Sequence, residues 1–350
     1  MRLQLIAVGN GRVWFRILLL VAAAIMIWPL PAASAPSNSK AESGNHKKFV
    51  GPNACAECHK EEAEIWKNTH HFTTFNEMPR SKEARDIADK MKIKRIKSES
   101  LCLTCHFTTR GSKRKQKPVA GISCESCHSP GKDWEKVHSG FSGKTEQTES
   151  RAEEAERWKK VDELGMIRPS STYKLAKNCY GCHVVPQEKL VNIGGHLAGS
   201  PFELVSWSQG EVRHNTWYSK GASNARAKPN RKRMLYVVGV AVELETALRA
   251  VAVATERKTY AFRMARRADA ARQKMAAVTK ALPQTPELAA IMEIGYSAGL
   301  KLNNQKALTD AADRIAIEAL SLSDKYDGST FGAVDAIIPK EDKYKGKPNS

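Results

Sequence analysis

Aromatic residues are sparse in this chain of 350 residues; Phe, Trp and Tyr together make up 7%. Long apolar runs are sparser still. Between about Lys47 and His214 there are few, so if that stretch folds compactly something besides aliphatic side chains must fill its core. No cysteine stands alone, because all eight fall into one recurring pattern. Beyond His214 there is neither cysteine nor histidine, which removes thiol nucleophiles and histidine ligands from the C-terminal third. Acidic residues are also in deficit, 37 against 56 Lys and Arg, for a formal charge of +19. The hydrophobic fraction of 41% and mean hydropathy of -0.47 suit a soluble protein. The length allows two ordinary domains.

The one long apolar run, "ILLLVAAAIMIWPL" from Ile17 to Leu30, follows Arg2, Arg12 and Arg16 and precedes "PAASAP". This is the layout of a secretory signal. The run is shorter than the roughly 20 residues that span a bilayer. Residues 1–35 are therefore expected to be a signal peptide, the alternative being an uncleaved anchor. Pro36 disfavours cleavage after Ala35 and points to Ser34. The remaining chain has 53 basic and 37 acidic residues, +16. Such a balance favours an acidic partner or an anionic membrane surface, and export argues against nucleic acid. The expected location is periplasmic or otherwise exported.

The cysteines occur as "CAECH" (Cys55, Cys58, His59), "CLTCH" (Cys102, Cys105, His106), "CESCH" (Cys124, Cys127, His128) and "CYGCH" (Cys179, Cys182, His183). Two thiols three positions apart can add to the two vinyl groups of one haem, and the next residue then offers its imidazole to the iron. Zinc fingers pair cysteines but do not require a histidine after every pair. A redox dithiol needs one pair in a βαβ setting, and disulfides leave the four histidines unexplained. The reading is four covalently bound haem c groups, which also supply the missing apolar core. Cys102 and Cys124 are too close in sequence for an independent fold between the second and third haems, so the haems are expected to cluster.

Six histidines lie outside the motifs. If "HKEEAEIWKNTHH" is one helix, with Ile65 and Trp66 on its inner face, His59 and His71 lie about 18 Å apart along the axis. Two axial ligands of one iron sit only about 4 Å apart, so His71 must serve a different haem from His59, or none. His70 points elsewhere on the helix and is not favoured as a ligand. His138 follows the Pro130-Gly131 break. His196 lies in the glycine-rich "NIGGHLAG", where backbone can approach a haem. His214 follows Phe202, Leu204 and Trp207, which can pack on a porphyrin. His46 sits in a polar segment and is expected to be free, and Met78 is read as core filler.

Together, "CAECHKEEAEIWKNTHH", "GISCESCHSPG" with His138 after it, and "NCYGCH" resemble the tetrahaem cytochrome c-554 family over roughly Phe49 to Asn215. The resemblance implies a mainly helical haem cluster with some haem pairs stacked and others nearly perpendicular. It implies transfer of electrons from hydroxylamine oxidoreductase towards other cytochromes. It also implies three haems with two histidine ligands and a second haem that is five-coordinate. Carried over by motif, His59, His106, His128 and His183 are proximal ligands, and His71, His138 and His214 are distal ones. His196 is an extra candidate that would close the second haem, and the long C-terminal extension departs from the family pattern.

In that extension Tyr236, Val240, Leu244, Leu248 and Val251 recur at helical spacing. Further helices are expected near Tyr260–Leu282, Pro286–Leu302 and Gln305–Leu320, with Thr285 as a cap and Pro286 in the first turn. Short loops imply an antiparallel bundle. The expected fold class is mainly α, a multihaem cytochrome c cluster with little sheet followed by this bundle. The expected divisions are 1–35 signal, 36–48 linker, 49–218 tetrahaem domain, 219–233 basic linker, 234–325 helical domain for docking, dimerisation or shielding, and 326–350 flexible tail. The runs "KIKRIK", "SKRKQK" and "RKR" are either solvated faces or docking sites for an acidic redox partner or anionic headgroups.

The favoured function is an electron carrier between redox partners, with no substrate bond made. The alternative is a small reductase of nitric oxide, hydroxylamine or nitrite at an open second haem. No paired catalytic residues for that role are visible in the sequence.

Overall fold

The computed structural model describes residues 46–98, 100–112 and 115–346. The expected signal peptide and nearly all of the 36–48 linker lie outside these residues. The fold is mainly helical. Around the first three motifs the helices are short: α1 (Pro52–Ala56), α2 (Lys60–Lys67), α3 (His70–Glu77), α4 (Lys82–Lys90) and α5 (Ser100–His106). An antiparallel hairpin follows, β1 (Thr108–Ser112) with β2 (Lys115–Ala120), pairing Thr109 with Pro118 and Ser112 with Lys115. Among the described residues it is the only sheet. Then come α6 (Cys124–His128), α7 (Glu135–His138), α8 (Arg151–Glu163), α9 (Thr172–His183), α10 (Glu188–Asn192) and α11 (Leu204–Ser208).

The single helix expected over His59–His71 is broken. Thr69 adopts an extended conformation and its hydroxyl accepts from the Phe72 amide, which starts α3 afresh. His71 therefore does not lie along one axis with His59, and the 18 Å separation does not apply as stated. Two other close contacts aim α3. Trp66 Nε1 donates to the Ile122 carbonyl at 2.7 Å, and the Ile122 amide donates to the His71 carbonyl at 3.0 Å. Gly121 is required beside them, because a Cβ there would lie 2.2 Å from the His71 oxygen.

The bundle consists of α12 (Pro229–Ala252), α13 (Thr259–Ala281), α14 (Pro286–Ser297) and α15 (Gln305–Lys325). α12 is mostly apolar from Met234 onward and buried on nearly every side, with α9, α11, α13 and α15 packed around it. The core continues without a break from Tyr173 in α9 through the bundle to Val334. In contrast, Trp134, Val161 and Met166 form only a small separate cluster beside the motifs. The scarcity of apolar side chains around the haem motifs is thus a property of the fold as well as the sequence.

Three expectations differ from the structure. The basic linker ends early, since Pro229–Arg233 already form the first turns of α12. The tail is packed as far as residue 346: Phe331 and Val334 are buried, and Lys345 exchanges backbone hydrogen bonds with Ser206 and Glu211. Apolar and backbone groups well separated along the chain make these contacts, so local polarity was a poor guide. Finally, α14 ends at Ser297 rather than near Leu302. Among the described residues, no helix is long and apolar enough to cross a membrane.

Candidate haem centres

Each motif histidine meets a different non-motif histidine. Ring centroids are 6.0 Å apart for His59 and His138, 6.2 Å for His106 and His196, 6.2 Å for His128 and His214, and 6.3 Å for His71 and His183. Two imidazoles bound to one metal through bonds of about 2 Å, with about 1.2 Å from nitrogen to ring centre, have centroids about 6.4 Å apart. The separations match at all four places. The rings are nearly parallel in the first pair, 12°, and nearly perpendicular in the third, 85°.

The hydrogen bonds point the same way. Nδ1 of His128, His196 and His214 lies 2.7–2.8 Å from the carbonyls of Ile167, Leu197 and Val212. A carbonyl only accepts, so Nδ1 carries the proton and Nε2 keeps a free lone pair, the form that binds a metal. His183 Nδ1 meets Ser200 Oγ at 2.7 Å, and His59 Nδ1 lies 3.5 Å from Glu62. Burial, then neighbouring imidazoles, pushes His106, His128 and His183 down to about 4. Burial also drives His138 to about 4, followed by the effects of His59 and Arg157. These rings stay neutral, as ligands must be.

The surroundings are shaped for flat apolar groups and rigid ligands. Trp217 lies against His59 at 4.7 Å, while Trp134 and Trp158 flank His138. Phe202 stacks on His183 at 4.3 Å and 20°. The motifs are also interlocked. The Cys55 side chain lies beside that of Cys124, as Cys105 does beside Cys182, and Asn178 Nδ2 donates to the Cys127 carbonyl at 2.9 Å. First meets third, third meets fourth, and fourth meets second.

Two supporting residues escaped the sequence reading. Glu125, inside "CESCH", is fully buried and accepts from the backbone amides of Val50, Gly51 and Gly131 at 2.7–2.9 Å. It ties the segment leading into the first motif to the third. Arg157 forms a bidentate pair with Glu149 and donates to the His138 carbonyl at 2.9 Å, fixing that histidine's backbone. A charged residue in a motif and another on a charged helix carry no local mark of such tasks.

The remaining candidates do not face a motif histidine. His46 is not free: it is buried, with Nδ1 2.6 Å from Thr109 Oγ1 and Nε2 2.7 Å from Gln116 Nε2, so both ring nitrogens are engaged by the hairpin. His70 is largely exposed and pairs with Glu211. The "RKR" run is also occupied, Arg231 by Thr172 and Pro169 and Arg233 by Asp335. Lys97, ending "KIKRIK", lies 3.5 Å over the Phe75 ring.

Residues 54–129, which include the first three motifs, match the family described as cytochrome c554 and c-prime. The match is confined to this stretch, about a fifth of the chain. Similarity to that family implies covalently attached haem c. The chain is also similar to cytochrome c-554 of Nitrosomonas europaea, 27% identical over 144 residues. That match covers 39% of this chain and 57% of the relative, so the chain spans a little over half of the curated protein it resembles. No solved structure gave a match. The bundle α12–α15 lies outside the family stretch.

Proposed function

We propose that this protein is an exported four-haem c-type cytochrome that carries electrons between redox proteins. The observation that carries the reading is the set of four imidazole pairs, each joining one CxxCH histidine to its own distal histidine at the spacing of a doubly ligated iron. Cys55 and Cys58, Cys102 and Cys105, Cys124 and Cys127, and Cys179 and Cys182 anchor the haems. The ligand pairs are His59 with His138, His106 with His196, His128 with His214, and His183 with His71. Haem supplies ferric–ferrous cycling. The chain holds each imidazole neutral and oriented, shields it with aromatic side chains, and sets the motifs in the spatial order first, third, fourth, second. That order supports short hops along one route.

The charge of +16 beyond the signal segment supports an acidic donor or acceptor, or attraction to an anionic membrane surface. The resemblance makes hydroxylamine oxidoreductase the donor to test first. The reductase alternative needs a vacant second iron, and the placement of His196 opposite His106 speaks against it.

Haem counting by pyridine haemochrome and low-temperature EPR of the oxidised protein test the proposal together. Four haems per chain, all low-spin, are expected, with the parallel first pair and perpendicular third pair giving distinguishable signals. Fewer than four haems, or a high-spin signal of one haem per molecule, would sink it.

A further inference from the structure

One side chain of the bundle reaches the turn that carries the fourth motif histidine. Arg267 projects from α13, and its Nη1 donates to the Ser200 carbonyl at 2.8 Å and the His183 carbonyl at 3.4 Å. Its guanidinium carbon lies 5.9 Å from the Tyr180 ring. The side chain is 15% exposed, and Nε and Nη2 are buried without hydrogen-bond partners. Space has been kept for it. A Cβ on Gly199 would sit 2.7 Å from the His183 oxygen and 3.1 Å from Arg267 Nη1.

The residues that receive Arg267 also hold the fourth proximal ligand. Ser200 meets His183 Nδ1 with its hydroxyl, and its amide donates to the His183 carbonyl at 3.2 Å. Arg267 is not matched by an anion of its own: Glu243 lies 3.2 Å from its Nη2 but is shared with Lys274 at 2.7 Å.

We infer that Arg267 is a positioning and charge-setting residue for the fourth haem, through which the C-terminal bundle raises that haem's reduction potential. The inference rests on the proposed pairing of His183 with His71. Reduction removes one positive charge from the iron, so a cation fixed beside its ligand in a partly buried site favours the ferrous form. Holding the His183–Ser200 turn also fixes the orientation of the imidazole.

The test is an EPR-monitored redox titration of the full haem-loaded chain. His71→Ala first identifies the fourth haem as the one that turns high-spin. Arg267→Gln is expected to lower that haem's midpoint potential and leave the other three nearly in place, with Arg267→Lys restoring much of the shift. Glu243→Gln, which removes the neighbouring anion, should move the same potential upward and keeps the test open if Arg267→Gln does not fold. No high-spin signal in His71→Ala would overturn the pairing and this inference with it. A correct His71→Ala spectrum with unmoved potentials in folded Arg267→Gln and Glu243→Gln would overturn the role of Arg267 alone.

Discussion

At the residue scale, His196 decides between a carrier with every iron doubly ligated and one with a vacant second iron. Its side chain is half-buried in a loop, it follows Gly195 at φ +77°, and its Nδ1 bond is to the adjacent residue's carbonyl. Truncating it therefore removes a ligand without opening the core. His196→Ala should convert one haem per molecule from low- to high-spin, read by EPR and by the visible spectrum, with helix content unchanged. An unaltered spectrum would exclude it as a ligand. His138 differs, since α7 and Arg157 hold it between two tryptophans.

At the scale of elements, α12 carries two buried carboxylates that join it to its neighbours. Glu245 is fully buried and accepts from Tyr173, Lys177 and Arg249, fixing the helix of the fourth motif to the bundle. α14 and α15 are clasped by Glu287, which accepts from Ser321 at 3.1 Å, Lys325 at 2.7 Å and Tyr326 at 3.3 Å. Burial works to push the Glu287 carboxyl up, but the bond from Lys325 and those that follow it outweigh burial and hold it below the usual range. Its folded pKa is therefore below its unfolded one. The unfolded chain binds the proton first, so the stabilisation is present above the ordinary glutamate range and is lost as pH falls through the folded value. Glu287→Gln should cost on the order of 1 kcal/mol near neutrality, Lys325 being largely exposed, and less in acid. Urea melts at the two pH values check this. An equal loss at both would refute the ionic clasp.

At the scale of the molecule, stability is unevenly founded. From Tyr173 onward a continuous apolar core does the work, whereas around the first three motifs buried apolar side chains are few. Haem must provide the rest there. In a chain produced without haem attachment, hydrogen exchange should be fast over residues 46–166 and slow in α12, α13 and α15. Uniform protection across both regions would show that the haem region has a sufficient side-chain core of its own.

The sequence by itself carries the proposal of haem attachment and determined the secondary structure of the bundle. Haem attachment needs only two thiols and an imidazole on a few adjacent residues, and the bundle helices are written in the period of their apolar residues, as Tyr236 to Val251 demonstrate. It also made His71, His138, His196 and His214 candidates, because four motif histidines call for partners. Only the tertiary structure decided which candidate faces which motif, that His46 is taken by the hairpin, that the tail packs to residue 346, and that Arg267 reaches His183. Each of these joins groups far apart along the chain. Such contacts depend on where the Thr69 break, the close approach at Gly121 and the α9–α12 packing carry the backbone, and no local pattern encodes that.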